Sequence, residues 1–141
     1  MTTDNHAERN ALAHLETIQE YYAATDSQPL RLTDSDTVTI AGETMDRDDL
    51  QQRIYETPLS VEIRTGWYTP GSEPDSADEY KILLSTGGPA CQICGIVGEY
   101  GDPLTAIIQH QDWGTPWTDL YTDSDQDEAL LWFASQFIME Y

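Results

Sequence analysis

Apolar residues recur at the 3.6-residue spacing of a helix in three segments of the chain. The first segment, residues 4–24, has Asp4 or Asn5 in the position of a cap. Its apolar stripe consists of Ala11, Leu15, Ile18 and Tyr22. A helix with one apolar face gains most of its stability by burying that face, so this helix is predicted to pack on a sheet or on another helix.

The second segment is shorter and follows a predicted strand. Val38 and Ile40 alternate with threonines, and the strand that they predict ends at the Ala-Gly pair of residues 41–42. A helix is predicted to begin near Asp46, because the aspartates of its first turn suit the positive end of the helix dipole. It should end before Pro58, since a residue that precedes proline disfavours the helical conformation.

The third segment predicts a closing helix over roughly residues 123–138, with Asp123 or Ser124 as its cap. Apolar side chains surround most of this helix: Leu130, Leu131, Trp132, Phe133, Phe137 and Ile138. One face can cover a sheet. The remaining apolar surface is predicted to be covered by the first helix, or by a homodimer or partner contact through this C-terminal helix.

Residues 59–64 alternate between apolar and polar positions, which predicts a strand with one buried and one wet face. Further strands are predicted at 79–86, 91–98 and 104–111, after a long exposed loop at 68–78. The connections between the last three strands are too short for helical crossovers. The predicted fold is therefore α+β: an antiparallel meander of about four strands, with an N-terminal helix, a short middle helix and an apolar C-terminal helix packed on it.

Length and composition fit a single domain over residues 1–141, because 39% hydrophobic content in 141 residues can bury a core. The apolar runs fall well short of the roughly 20 residues that span a bilayer, and the N-terminus lacks the pattern of a secretory signal. The chain is therefore expected in the cytoplasm, where Cys91 and Cys94 stay reduced.

Charge changes the picture most. The chain has 26 acidic and 6 basic residues, and its net charge of −20 is far beyond the roughly 2–8 that solubility requires. Residues 101–141 contain eight acids and no Lys or Arg. Such a field repels nucleic acid and anionic membranes and attracts basic surfaces. The expected partner is a basic, nucleic-acid-binding protein, and direct binding to nucleic acid or to a membrane is disfavoured.

Cys91 and Cys94 match the C-x-x-C spacing of redox and zinc sites. In a strand, however, positions i and i+3 point to opposite faces, and the histidines His6, His14 and His110 are scattered. Buried structural cysteines are the favoured interpretation, with metal binding and redox chemistry as the alternatives.

Residues 123–127 resemble the start of a calcium-binding EF-hand loop, but Glu128 stands where the loop needs glycine and Ala134 where it needs glutamate. Helix capping is the favoured interpretation, and weak calcium binding is the alternative. The chain also lacks a nucleophile elbow or a phosphate-binding glycine loop. The sequence therefore predicts no catalytic residue, metal or cofactor, and not an enzyme.

Two aromatic turn segments, Gly66–Gly71 and Asp112–Trp117, each follow a predicted strand. Their aromatic residues either cap one end of the core or anchor a partner or ligand, the two roles open to Trp and Tyr at chain turns. The candidate partner-binding residues are the aromatics Trp67, Tyr68, Trp113 and Trp117 and the acids Asp112, Asp119, Asp123, Asp125 and Asp127.

Three motifs between Leu59 and Phe137 are Val-Glu-Ile-Arg-Thr-Gly-Trp-Tyr at 61–68, Leu-Ser-Thr-Gly-Gly-Pro-Ala at 84–90 and Gln-Asp-Trp-Gly-Thr-Pro-Trp at 111–117. With them the chain resembles a family of small accessory proteins of bacteriophages and prophages, over a little more than half of its length. The resemblance implies a phage protein in the host cytoplasm that acts against host defence, of the anti-CRISPR or anti-restriction type. It brings no catalytic residue, and the family has apolar or basic residues in place of the two cysteines.

Two functional hypotheses follow. In the first, the protein is a non-enzymatic inhibitor whose acidic surface mimics nucleic acid and occupies a basic groove of a host defence protein. In the second, it is a small-molecule-binding or enzymatic domain with a pocket at the aromatic turns, and the acidity is an adaptation to solubility or high salt. The concentration of charge toward one end of the chain favours the first hypothesis.

Overall fold

The computed structural model describes residues 6–26, 37–72, 77–87, 89–98, 101–112 and 115–138. Its helices are α1 (His6–Asp26), α2 (Arg47–Glu56) and α3 (Ser124–Ile138). Its strands are β1 (Thr37–Ile40), β2 (Glu43–Asp46), β3 (Ser60–Thr65), β4 (Ala77–Ser85), β5 (Ala90–Ile96), β6 (Ile107–Gln111) and β7 (Thr118–Asp119). The predicted α+β class with N-terminal, middle and C-terminal helices is confirmed. Asp4 and Asn5, predicted as caps of α1, lie outside the described residues.

The main sheet has five strands in the order β3-β4-β5-β6-β7, and every neighbouring pair is antiparallel. Strands β3 to β6 form the predicted meander. Strand β7 extends it beyond the four predicted strands, and at two residues it is too short to show an alternating pattern.

Strands β1 and β2 form a separate hairpin that packs beside α1 and α2. Ala41 and Gly42 join them with φ angles of 52° and 84°, the positive values that a tight two-residue hairpin turn requires. The Ala-Gly pair therefore turns the chain into a second strand, which the sequence analysis missed because only Met45 of its four residues is buried.

The core lies between one face of the main sheet and the helices. Ile82, Ile93 and Ile108 are cross-strand partners on β4, β5 and β6, and all three are fully buried. Helix α1 packs against β5 and β6, and α3 packs against β6 and α1. The same hydrophobic cluster includes residues of the β1–β2 hairpin and of α2.

Helix α1 covers much of the apolar surface that α3 does not place against the sheet. The rings of Tyr21 and Phe133 stack with their centroids 6.4 Å apart. The rings of Tyr22 and Trp132 pack at a tilt, with their centroids 5.4 Å apart. Tyr22 also donates a hydrogen bond to the Glu128 carboxylate. These contacts agree with the first of the two predicted alternatives, in which the N-terminal helix covers the remaining apolar surface of the closing helix.

Strand β3 differs from its prediction, because neither of its faces is buried. Val61 and Ile63 pair with Ile82 and Tyr80 and so point to the core side, yet they are 39% and 44% exposed. The reason is position: β3 is the edge strand, whereas α1 lies over β5 and β6 on the far side of β4. An alternating pattern fixes the face of each residue but not whether a helix covers it.

The two cysteines lie on opposite faces of β5, as the strand spacing predicts. Cys91 is fully buried in the core, and burial raises the pKa of its thiol to about 12. Cys94 is half-buried on the other face, where its Sγ donates to Gln109 Oε1 at 3.4 Å. The pair is therefore not arranged as a dithiol site.

Helix α3 begins with a reciprocal cap between Asp123 and Gln126. The Asp123 carboxylate accepts from the Gln126 N–H at 2.9 Å, and the Gln126 side chain accepts from the Asp123 N–H at 3.0 Å. Helix α2 begins next to Asp46, near the predicted start, and Asp46 is its cap rather than a first-turn residue, because its carboxylate accepts from the Asp49 N–H at 2.8 Å. The Asp-rich segment before α3 thus serves the helix start.

Replacing Cys91 by Ala should lower the free energy of unfolding by about 1–3 kcal/mol, because the substitution leaves a cavity in the core. Cys94→Ala is the matched control and should cost less than half as much, since Cys94 is partly exposed. Urea unfolding of the purified variants measures both values. Equal losses, or stoichiometric zinc that disappears in the double variant, would contradict structural roles for these thiols.

The unfolding free energy should also depend on pH through Cys91. The raised pKa means that the folded thiol keeps its proton where the unfolded thiol loses it. The resulting stability is present below the ordinary value of 9.0 and is lost as the pH rises toward 12. Between pH 8 and 11, the free energy of unfolding should therefore fall more steeply with pH for the wild type than for Cys91→Ala. Parallel pH profiles would refute the burial of this thiol.

Replacing Asp123 by Ala should lower the free energy of unfolding by about 1 kcal/mol, because the Gln126 N–H loses its acceptor at the start of α3. Asp125 is an exposed acid two residues away, and Asp125→Ala should cost no more than about 0.5 kcal/mol. Thermal unfolding followed by circular dichroism compares the two. A larger loss at Asp125 would argue against the reciprocal cap.

Candidate interaction surfaces

The two aromatic turns lie at opposite ends of the main sheet. One follows the C-terminal end of β3 and the other follows the C-terminal end of β6. Since successive strands of the meander are antiparallel, β3 and β6 run in opposite directions. They are also three strand spacings apart, about 14 Å. Trp67 and Tyr68 of the first turn therefore do not form one continuous surface with Trp117 of the second.

The first turn presents Trp67, which is fully exposed, and Tyr68, which is half-exposed. A shallow groove of about 430 Å³ lies beside Trp67, between the end of β3 and the start of β4. It is lined by Arg64, Thr65, Gly66, Trp67, Asp78 and Glu79. Arg64 forms a salt bridge of 2.7 Å with Glu79 there. The lining of the groove therefore combines an exposed indole ring with an ion pair of zero net charge.

The second turn is closed by hydrogen bonds between Asp112 and Thr115. The Thr115 N–H and hydroxyl both donate to the Asp112 carbonyl, at 3.2 and 3.0 Å. Asp112 also lies beside Pro89 and the first turn of α1, around a depression of about 610 Å³. Trp117 is half-buried just before β7, and Trp113 lies outside the described residues. Trp117 is thus the predicted aromatic anchor of this turn whose position the structure describes, and it precedes Asp119 and Asp123 in the chain.

The other predicted acids stand close together in the chain around β7 and the start of α3. Asp119 is exposed on β7 and accepts from Gln109 Nε2 at 2.8 Å. Asp123 caps α3, Asp125 is exposed, and Asp127 accepts from the Thr122 hydroxyl. Together with Glu128 they form what is here called the acidic edge: Asp119, Asp123, Asp125, Asp127 and Glu128. Two of these acids, Asp123 and Asp127, also hold the helix start in place.

Three ion pairs of the described residues lie elsewhere in the fold. Lys81 pairs with Glu62 at 3.5 Å and Arg64 with Glu79, all on β3 and β4 at the opposite side of the sheet. Arg53 of α2 pairs with Glu43 of β2. Since residues 101–141 contain no Lys or Arg, the acidic edge has no cation of its own segment to neutralise it.

A polar row crosses the face of the sheet that points away from the helices. Gln92 Nε2 donates to Gln109 Oε1 at 2.7 Å, and Gln109 in turn donates to Asp119. This row holds the Asp119 carboxylate in one orientation on the last strand. Its signal in the sequence is a pair of glutamines, Gln92 and Gln109, on the neighbouring strands β5 and β6, which was not recognised before the strand register was known.

A third cleft, of about 660 Å³, lies away from both aromatic turns, between α1, β2 and α2. It is lined by Tyr21, Glu43, Thr44, Met45, Asp49, Gln52, Arg53, Glu56 and Thr57. The Tyr21 hydroxyl hydrogen-bonds to Thr57 at 2.9 Å, and Arg53 pairs with Glu43. These four polar side chains at its wall therefore have partners within the protein.

Nucleophile chemistry is disfavoured at the cysteines. Cys91 lies directly opposite His110 on the neighbouring strand, a pairing that could resemble a thiol with its base. Burial raises the pKa of Cys91 to about 12, so the thiol keeps its proton at neutral pH. Within the described ranges, His, Cys, Asp and Glu side chains form no cluster of three or more that could hold a metal ion.

Among the described residues, no helix has the length and apolar character needed to cross a membrane. Comparison with protein families, with curated proteins and with solved structures gives no match for this chain.

Proposed function

We propose that this protein is a non-enzymatic inhibitor that binds a basic, nucleic-acid-binding protein through its acidic edge and competes there with nucleic acid. The observation that carries the proposal is the negative charge at this edge, whose acids form no ion pair with Lys or Arg among the described residues. Its five acids lie within ten residues of chain that contain no Lys or Arg, whereas the paired cations lie on β3, β4 and α2.

A groove that binds nucleic acid is lined with Lys and Arg, and it releases bound anions when a polyanion enters. Carboxylates that are already fixed in place lose little conformational freedom on entering such a groove. Asp119 is held by Gln109, and Asp123 and Asp127 are held at the start of α3. The edge therefore offers several negative charges in fixed positions, as a nucleic acid backbone does.

Charge alone attracts many basic proteins weakly, so specificity needs apolar contacts beside it. Trp117 immediately precedes β7, two residues before Asp119 in the chain, and its half-buried side chain is the candidate for this apolar contact. Trp67 and Tyr68 lie at the far side of the sheet and are not part of this surface. The resemblance to phage proteins supplies a context, in which the partner would be a host defence protein of the CRISPR or restriction type.

The test compares two variants with the same change of net charge. Asp119→Asn/Asp125→Lys alters the acidic edge and keeps a side chain that Gln109 can contact. Asp48→Asn/Glu56→Lys makes the same change on α2 and is the control. The immobilised wild-type protein first captures proteins from bacterial lysate at low salt. A captured nucleic-acid-binding protein is then bound to labelled duplex DNA or RNA, and the wild type or a variant is added as competitor. Fluorescence anisotropy follows the displacement of the duplex.

The wild type and the α2 variant should displace the labelled duplex, and the edge variant should associate about tenfold more slowly at low salt, because steering depends on the local charge. Equal displacement by both variants would overturn the role of the acidic edge. Binding of the duplex and this protein to the partner at the same time would overturn the competition.

The alternative, that the acidity serves only solubility in high salt, makes a different expectation. Both variants would then gain unfolding free energy at low salt by a similar amount, because each removes the same self-repulsion, and neither would differ in partner binding.

A further inference from the structure

The edge strand β3 has the features of a self-pairing strand. Its apolar residues continue the core face of the sheet, yet Leu59, Val61 and Ile63 remain 59%, 39% and 44% exposed. In the described part of the chain, β4 is its only strand neighbour. An exposed edge with a row of apolar side chains is a template for another strand, which proteins usually blunt or cover.

The opposite face of β3 carries charges that alternate in sign along and across the strands. Glu62 lies opposite Lys81, with 3.5 Å between carboxylate and ammonium, and Arg64 lies opposite Glu79 at 2.7 Å. These four side chains sum to zero charge. Two copies of a protein with a net charge of −20 repel each other, so they can meet most easily where the local charge is balanced.

We propose that β3 pairs antiparallel with β3 of a second copy, with Ile63 opposite Ile63 on the two-fold axis. Directly opposite residues of an antiparallel pair share one face. In this register Glu62 of each copy therefore lies opposite Arg64 of the other. The charged row then reads Lys81, Glu62, Arg64 of the second copy and Glu79 of the second copy, with alternating sign throughout, and symmetry repeats it.

Neighbouring registers lack this complementarity. A shift that centres the axis on Glu62 places two glutamates opposite each other, and a shift that centres it on Arg64 places two arginines opposite each other. The proposed register also brings Leu59 of one copy level with Trp67 of the other. It thus gives the fully exposed indole an apolar neighbour and joins the two five-stranded sheets into one.

The test uses two single charge reversals. Each alone should weaken self-association, and a mixture of the two variants should associate again. Glu62→Arg creates arginine pairs across the axis, and Arg64→Glu creates glutamate pairs. Each should weaken self-association about tenfold or more, because two favourable pairs per dimer become repulsive. A mixture of the two variants places opposite charges in both pairs again and should form a heterodimer with near wild-type affinity.

Sedimentation velocity and light scattering at about 0.15 M salt measure the masses of the wild type, each variant and the mixture. Glu16→Arg, at an exposed position of α1, makes the same charge change as Glu62→Arg away from β3 and should leave the wild-type dimer intact. Circular dichroism verifies that each variant is folded. A wild type that stays monomeric at high concentration would overturn the proposal. So would a dimer that both reversals leave unchanged, since its interface, for example through α3, would then lie elsewhere.

Discussion

The fold depends on the buried contact between the isoleucines of the three central strands and the helices above them. Ile82, Ile93 and Ile108 line up across β4, β5 and β6, and side chains of α1 and α3 close the same cluster. Removing these side chains from water is the main favourable term available to a chain whose surface charge opposes compaction. Both edges of the sheet lie outside this contact, and the two proposed interaction surfaces lie at these edges.

The two edges differ in kind. At β7 the acids accept hydrogen bonds from neutral groups, the side chain of a glutamine and a backbone N–H at the start of a helix. These partners do not neutralise the negative charge of the acids. At β3 and β4 acids and bases neutralise one another. Exposed ion pairs add little to stability, usually less than about 1 kcal/mol each. Their effect at this edge is therefore on which surfaces can approach it.

Much of the fold could be predicted from periodicity, because long helices and a meander with short connections leave strong patterns. Strands β2 and β7 could not, since two to four mostly polar residues carry no readable period. The exposure of Val61 and Ile63 could not either, because it depends on how far the helices reach over the sheet.

The candidate site was predicted in part. The acids around β7 and α3 stand near one another because they are close in sequence, and local reasoning captures that. The placement of Trp67 far from Trp117 follows from strand direction: the first and fourth strands of a meander run opposite ways, so turns after their C-terminal ends lie at opposite ends of the sheet. A meander of four strands is therefore sufficient by itself to separate the two turns, whatever residues they contain.

The packing of α1 has a consequence for synthesis on the ribosome. Helix α1 ends at Asp26, but three of the elements that pack against it, β5, β6 and α3, come much later in the chain, and α3 ends at Ile138. At the usual rates of translation, on the order of ten seconds separate the emergence of the helix from that of its cover. During this interval the nascent chain exposes the stripe. The acids that the chain already carries then oppose contact between neighbouring nascent chains, before the contacts of α1 with β5, β6 and α3 can form.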